Sequence, residues 1–471
     1  MVQKLKKAFA AALLVSASLV ANGQATRLQF PNPNSIKEWG FSVTQYNGYS
    51  LVGSEFGNGL NVFKNNQFLF QASGPGTGLF GYAHSMNSSF IAAGAPQFGN
   101  NSQGVVFLSK HVNGNPQNNF NTAIAALTPS PNDQFGRAID IYGDWMVIGA
   151  PNVSGWEHGG YIEIWNYTNN NWVRKTKIVN PTSNVHADYG ISVAIWGNRI
   201  VVGAPGDNKL YIYGFYNNTW LPEQYYTLNT PDAGNFGYDV DVTDNHIIVG
   251  DPNGRKAYVL SYINGVLAIK SVLAPPATAG PGGDRFGHSV AIQYNRAVVG
   301  APRPTSSGPN PNQGKVYLFT DEGGYKYKGI LNVGNPSNLV VRALGYGVAI
   351  DSDIVLAGAS NSDNLLTINN EGAAFTMPFY QYSQYRSGEE LNVSSELAGR
   401  ALIYPNPSAG DMVRLNIEAP VVSAEAVSVT GETTPLVVSD GAINVSTLKK
   451  GIYTLKLRTE SETLTEKLVV E

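Results

Sequence analysis

The chain has 471 residues with 51 Gly, 26 Pro and no Cys; only 14% of it is charged, and its formal net charge is −3. An average chain carries about 7% Gly and about a quarter charged residues, so this one is turn-rich and lacks the basic field that nucleic acid demands. A hydrophobic fraction of 43% excludes global disorder, and the missing cysteine excludes thiolate metal sites, thiol nucleophiles and disulfides.

At the N-terminus, Lys4, Lys6 and Lys7 precede an apolar run over 8–21, followed by Gly23-Gln24-Ala25. That pattern reads as a secretory signal over 1–25. The run is shorter than the roughly 20 residues of a membrane-spanning helix and none like it recurs, so no transmembrane span is expected. An exported chain without disulfides must rely on packing, which favours one large cooperative core.

One phrase then repeats through 26–380. Three copies are full: Phe135-Gly136…Gly149-Ala150-Pro151, Tyr189-Gly190…Gly203-Ala204-Pro205 and Phe286-Gly287…Gly300-Ala301-Pro302. Four are degraded, beginning at Trp39-Gly40, Phe80-Gly81, Phe236-Gly237 and Leu344-Gly345. In all seven the paired glycines stand 13 residues apart, while the copies follow one another at 41 to 58 residues. Between the glycines the pattern is a hairpin, as in Val193 and Ile195, the turn Gly197-Asn198, then Ile200–Val202. A third strand follows, such as Leu210–Tyr213 or Lys315–Phe319, and a fourth leads to a proline. Four antiparallel strands in each of seven units predict an all-β, seven-bladed β-propeller.

Counted from the first glycine, positions +3 and +5 are mostly large (Val193, Ile195, Val290, Ile292) and +2 and +4 mostly small (Ser192, Ala194, Ser289, Ala291). A bulky and a slight face let adjacent blades interdigitate. Copy seven lacks an obvious fourth strand, whereas Arg27-Leu28-Gln29-Phe30-Pro31 looks like an orphan one. The mature N-terminus is therefore expected to complete the last blade.

These units resemble FG-GAP repeats, which build the integrin α-subunit propeller and many bacterial surface proteins. In that family a calcium loop rich in Asp and Asn joins the first two strands. Here the link is a tight turn such as Trp196-Gly197-Asn198-Arg199, too short for a cage of six or more oxygens. No cofactor is therefore expected; calcium would lack its family loop, and no metal ligands are assigned.

After a polar linker over 381–399, short strands alternate with turns through 400–471, suggesting a small Ig-like β-sandwich. Its details resemble the C-terminal sorting domain of the type IX secretion pathway: Tyr404-Pro405-Asn406-Pro407 with Gly410, then Gly451-Ile452-Tyr453, and Lys467 in the closing strand. The resemblance implies Sec export, passage across a Gram-negative outer membrane, and the secretion machinery as partner, leaving the protein secreted or at the outer-membrane surface.

Three groups of residues depart from the repeat. Asp140, Asp239 and Asp241 occupy small +4, +2 and +4 positions between blades; such a carboxylate must accept backbone N–H bonds, bind a cation or face a polar pore. Glu38, Asp133, Asp188 and Asp284 stand one or two residues before their copy's aromatic, where they either cap turns or ring the channel and collect a cation. The long loops 152–160 and 303–314 hold Trp156, Glu157, His158 and Arg303, the leading ligand-contact candidates, although Trp156 could equally cover its blade. The six histidines show no metal-site spacing, and no catalytic signature appears. The expected function is a secreted or surface binding protein with a protein or glycan ligand. The alternatives are an extracellular hydrolase with a carboxylate or cation site at the channel, and a structural surface-layer component.

Overall fold

The computed structural model describes residues 25–30, 38–56, 59–74, 78–152, 159–228, 234–263, 266–276, 283–303, 313–331, 333, 339–364, 372–379, 403–404, 412–415, 421–428, 432–439, 442–459 and 463–470. The signal segment, apart from Ala25, lies outside them. The chain divides into two compact units, Met1–Arg386 and Ser387–Glu471.

The first unit contains seven four-stranded antiparallel sheets. Blade four is typical, running Val193–Trp196, Arg199–Ala204, Lys209–Tyr216 and Thr219–Thr227 in sequence and spatial order. The innermost strands of the others are Trp39–Tyr46, His84–Met86, Ala138–Tyr142, Val240–Val242, Ser289–Gln293 and Leu344–Asp351. Each packs against the innermost strand of the next blade, and blade seven returns to blade one, so the ring is closed. Blade seven takes its outer strand from the N-terminus: Thr26–Arg27 pairs with Ala373–Pro378, Thr26 opposite Thr376 and Arg27 opposite Phe375. Leu28 extends the clasp by donating its N–H to Ala374 O at 2.9 Å, and its side chain is fully buried.

The apolar interior corrects the expectation of one large core. It is divided into seven clusters, each shared by two neighbouring blades. Val193 and Ile195 pack with Ile162 and Ile164 of blade three, while Ala194 belongs to the cluster holding Val240, Val242 and Phe236 of blade five. The large positions thus fill the preceding blade's side and the small ones admit the next. The last cluster joins Leu28, Leu356 and Ala374 to Trp39, Val52 and Phe63 across the seam. Stability is therefore distributed over blade boundaries, none of which survives alone.

The 13-residue spacing has a direct cause. The first glycine's N–H bonds to the second's carbonyl, as from Gly136 to Gly149 and Gly190 to Gly203, both at 3.0 Å. The first glycine is left-handed in every copy, with φ from 85° at Gly81 to 96° at Gly237. The second has no such φ, yet a Cβ on it would meet the next blade's first glycine. At Gly149 that Cβ would lie 2.0 Å from Gly190 O, and at Gly358 1.9 Å from Gly40 O, across the seam. Both glycines are therefore required, one by backbone conformation and one by close approach.

Polar ties between blades stand in for staples. Lys270 pairs with Asp321 and Arg296 with Asp353, and Asn87 Nδ2 donates to Gly143 O at 2.8 Å.

Among the described residues, the second unit has seven strands in one hydrogen-bonded order. Thr433–Ser439 links its two halves, pairing with Ser423–Ser428 through residues 433–436 and with Ala442–Asn444 through residues 437–439. Ala426, Ile443, Leu455, Leu457 and Leu468 form its fully buried centre.

Candidate functional site at the channel mouth

The residue after each first glycine lies near the start of the innermost strand, inside it in blades one and seven and one or two residues before it in the others. These residues are Phe41, Tyr82, Arg137, Ile191, Tyr238, His288 and Tyr346. Their rings touch across four consecutive blade boundaries. Tyr82 meets Phe41 at 4.6 Å between centroids, Phe41 meets Tyr346 at 4.9 Å, Tyr346 meets His288 at 4.5 Å and His288 meets Tyr238 at 5.0 Å. Arg137 extends the series from blade three, lying 4.9 Å over Tyr82, and Arg285 lies 5.2 Å over Tyr238. The result is a collar unbroken from blade three through two, one, seven and six to five, with Ile191 of blade four in the remaining place.

Hydrogen bonds set the collar's geometry. His288 Nδ1 lies 3.2 Å from Tyr346 O; a carbonyl only accepts, so this nitrogen carries the proton. Nε2 is then free to accept from Tyr238 Oη, 3.4 Å away. Burial first, and then Arg285, push His288 down to about 3, so the imidazole is neutral. Burial pushes the Tyr82 phenol up to about 12.

The set Glu38, Asp133, Asp188 and Asp284 splits according to its distance from the aromatic. Asp133 and Asp284, two residues before it, are buried. Asp133 Oδ2 accepts from Ser130 N at 2.7 Å and Tyr161 Oη at 2.9 Å. Asp284 takes a two-pronged grip from Arg255, Nε to Oδ1 at 2.8 Å and Nη2 to Oδ2 at 2.9 Å. Both carboxylates are thus already bonded to turn and side-chain donors. Glu38 and Asp188, one residue before the aromatic, are half-buried and left-handed. Glu38 hydrogen-bonds Glu55, whose carboxyl burial raises; Arg137 counteracts this. Burial likewise raises Asp188, against Arg137 and His186. Arg137 therefore faces carboxylates from blades one and four while capping the collar. Arg303 is exposed, donates its N–H to Asp284 O at 3.1 Å, and lies near enough to His288 to disfavour its protonation. Trp156, Glu157 and His158 lie outside the described residues.

Asp140 and Asp241 sit on the innermost strands and Asp239 immediately before one, all tightly surrounded yet partly accessible. An inner edge presents N–H groups with no strand to receive them, and these carboxylates receive them. Asp140 Oδ2 accepts from Ile195 N of blade four, and Asp239 and Asp241 accept from Val290 N and Ile292 N of blade six, all at 2.8 Å. Ser85 Oγ does the same for Ile141 N at 3.2 Å and donates to Asp140 Oδ1 at 2.9 Å, so one chain crosses two boundaries. Burial is the largest cause in each case, pushing Asp140 up to about 6, Asp239 to about 7 and Asp241 to about 8. Among the described residues no group of three or more His, Asp or Glu is placed to hold a metal ion.

Sequence reasoning missed the collar, because it began its face-by-face reading one position later. The available signal was a ring at +1 in five of the seven copies: Phe41, Tyr82, Tyr238, His288 and Tyr346. Of the sorting motif, Tyr404 lies in a strand, Gly451 and Tyr453 begin the strand Gly451–Arg458, and Lys467 lies in Thr463–Val470. Tyr453 Oη donates to Lys449 O at 2.8 Å. Pro405, Asn406, Pro407 and Gly410 lie outside the described residues.

Against known proteins, the FG-GAP repeat family matches residues 122–160, 172–214 and 277–319. The secretion system C-terminal sorting domain matches 402–471. No curated protein matches the chain. Among solved structures it is similar to a catalytically inactive variant of virginiamycin B lyase from Staphylococcus aureus with quinupristin, at 10% identity and a TM-score of 0.48, covering 75% of this chain and 99% of that one. No helix among the described residues is long and apolar enough to cross a membrane. The chain carries FG-GAP repeats within a β-propeller and a type IX secretion sorting domain over 402–471, the address of a secreted or cell-surface protein.

Proposed function

We propose that this exported propeller is a binding and adhesion protein that takes a protein or glycan ligand on its collar. The observation that carries the reading is the continuous series of rings from Tyr82 to Tyr238, half-buried except for the buried His288 and bracketed by Arg137 and Arg285. Aromatic rings and arginines supply most anchoring contacts in binding sites, because they bury large area with few torsions to freeze. Rings already stacked on one another and bonded through His288 lose little entropy on binding. Glu38, Glu55 and Asp188 add acceptors at the rim. Asp140, Asp239 and Asp241 support the binding reading over a hydrolase, since each already accepts a neighbouring blade's N–H.

The test uses the secreted protein without its leader on a glycan array and on an array of extracellular proteins. A saturable ligand is expected, bound at least tenfold more weakly by Tyr82→Ala/Tyr346→Ala. A ligand indifferent to both substitutions refutes the site. No saturable ligand at all favours a passive surface component, and turnover of an arrayed glycan favours a hydrolase.

A further inference from the structure

Blade two departs from its siblings at the link between its third and fourth strands. In blades one, three and four that link is a two-residue Asn-Asn turn, Asn65-Asn66, Asn169-Asn170 and Asn217-Asn218, with both residues left-handed. Blade five joins Ile263 to Val266 equally tightly. Blade two instead inserts residues 111–121 between Val105–Lys110 and Thr122–Ile124. In a repeat protein, an insertion confined to one copy adds something that the shared core does not need.

The insert is held in place. His111 donates its N–H to Ser89 O at 2.8 Å, and its Nδ1 donates to Ser88 O at 2.9 Å. Val112 and Asn115 exchange two backbone bonds of 3.0 Å around Asn113-Gly114. Ser109 Oγ donates to Gln117 O at 2.6 Å, and Asn118 Nδ2 to Gln71 O of blade one at 3.1 Å. Phe120 anchors the far end edge-on against Phe80, 5.2 Å between centroids.

Between insert and strand lies a cavity of about 560 Å³, within the range of small-ligand sites. Its wall carries four side-chain amides, Asn113, Gln117, Asn119 and Asn121, beside the exposed Val112, and it contains no carboxylate. Lys110 also borders it, with its Nζ donating to Tyr167 Oη at 2.7 Å and lying over that ring, so one of its donors is already taken. Asn119 and Asn121 are exposed and have no partner among the described residues.

We propose that this cavity is a binding site for a neutral saccharide. An amide both donates and accepts, as does each sugar hydroxyl, so a wall of amides matches a polyol without favouring a charged group. Val112 offers an apolar surface to the sugar's C–H face. The insert's internal bonds hold the wall in place before the ligand arrives. A third-to-fourth-strand link lies at the opposite end of the blade from the start of its first strand, so this site faces away from the collar and is independent of it.

The test is saturation-transfer NMR on the secreted protein with the methyl glycosides of glucose, galactose, mannose and N-acetylglucosamine. At least one should give saturable transfer. Asn119→Ala/Asn121→Ala should weaken it at least tenfold, and replacing 111–121 by Asn-Asn should abolish it with the thermal melt retained. Tyr82→Ala/Tyr346→Ala should leave it unchanged, which separates this site from the collar. The proposal is overturned if none of the glycosides gives saturable transfer, or if the signal survives the loop replacement. Should that replacement fail to fold, the exposed double variant decides alone, and binding equal to the parent overturns the proposal.

Discussion

Gly149→Ala isolates the contact that explains the repeat's second glycine. The new methyl would stand 2.0 Å from Gly190 O and 3.0 Å from Gly190 C, well over an ångström short of an ordinary contact. Both parties are backbone, so no side chain can swing away and the two blades must separate. Overpacking of this kind usually costs about 1–3 kcal/mol; with backbone on both sides the upper figure applies. For a unit of some 350 residues, unfolding with about 2.1 cal/mol/K per residue, about 3 kcal/mol lowers Tm by about 4 °C. Gly149 has no left-handed φ, so without the close approach alanine would stabilise by about 0.4–1 kcal/mol through the unfolded chain. The two accounts therefore differ in sign. Scanning calorimetry on the secreted protein reads the difference, and a Tm equal to or above that of the parent would falsify the inter-blade contact.

Deleting residues 26–30 removes the clasp and the buried Leu28. Leucine burial is worth about 1.5–3 kcal/mol and each hydrogen bond about 0.5–1.5 kcal/mol, so Tm should fall by about 4–10 °C on the same entropy scale; an unchanged melt would mean that the ring closes without this strand. Asp239 and Asp241 titrate higher folded than unfolded, up to about 7 and about 8, because of burial. The folded state therefore holds protons that the unfolded state has released, and this part of the stability declines as pH rises from about 4 to about 8. Asp241→Asn should flatten that decline in melts taken from pH 5 to 9, and parallel profiles would refute it. Removing 401–471 should leave the propeller in the periplasm, as read by fractionation and immunoblotting; normal export would refute the sorting role.

Much of the fold was legible because repetition multiplies a weak signal. One hairpin such as Val193–Ala204 reads ambiguously, but seven at a constant glycine spacing do not. The N-terminal clasp was legible by subtraction, since blade seven lacked an outer strand and Arg27-Leu28 had no blade of its own. The division of the interior into boundary clusters was not legible, because composition records how much apolar surface exists and not which blades share it. The candidate site was less visible still. The collar joins residues far apart in sequence, such as Phe41 and Tyr346, whose contact follows only from closure of the ring. Asp133 and Glu38 looked alike as acids before an aromatic, yet with one residue of offset the first is fully buried and the second half-buried beside Glu55.

A departure from a repeat points to function only after the fold's own needs are subtracted. Asp140, Asp239 and Asp241 stood out in sequence as charges at positions meant for Ser or Ala. Each is accounted for by one N–H on the next blade's inner edge, a need that the ring creates and that Ser85 meets with a hydroxyl elsewhere. The collar rings and the 111–121 insert are different. Ile191 and Arg137 hold the same +1 place without a ring, so the blades do not require one there, and five of the six links between third and fourth strands need no more than a short turn. What the scaffold can omit and this chain retains is where binding should be sought, on two faces of one ring.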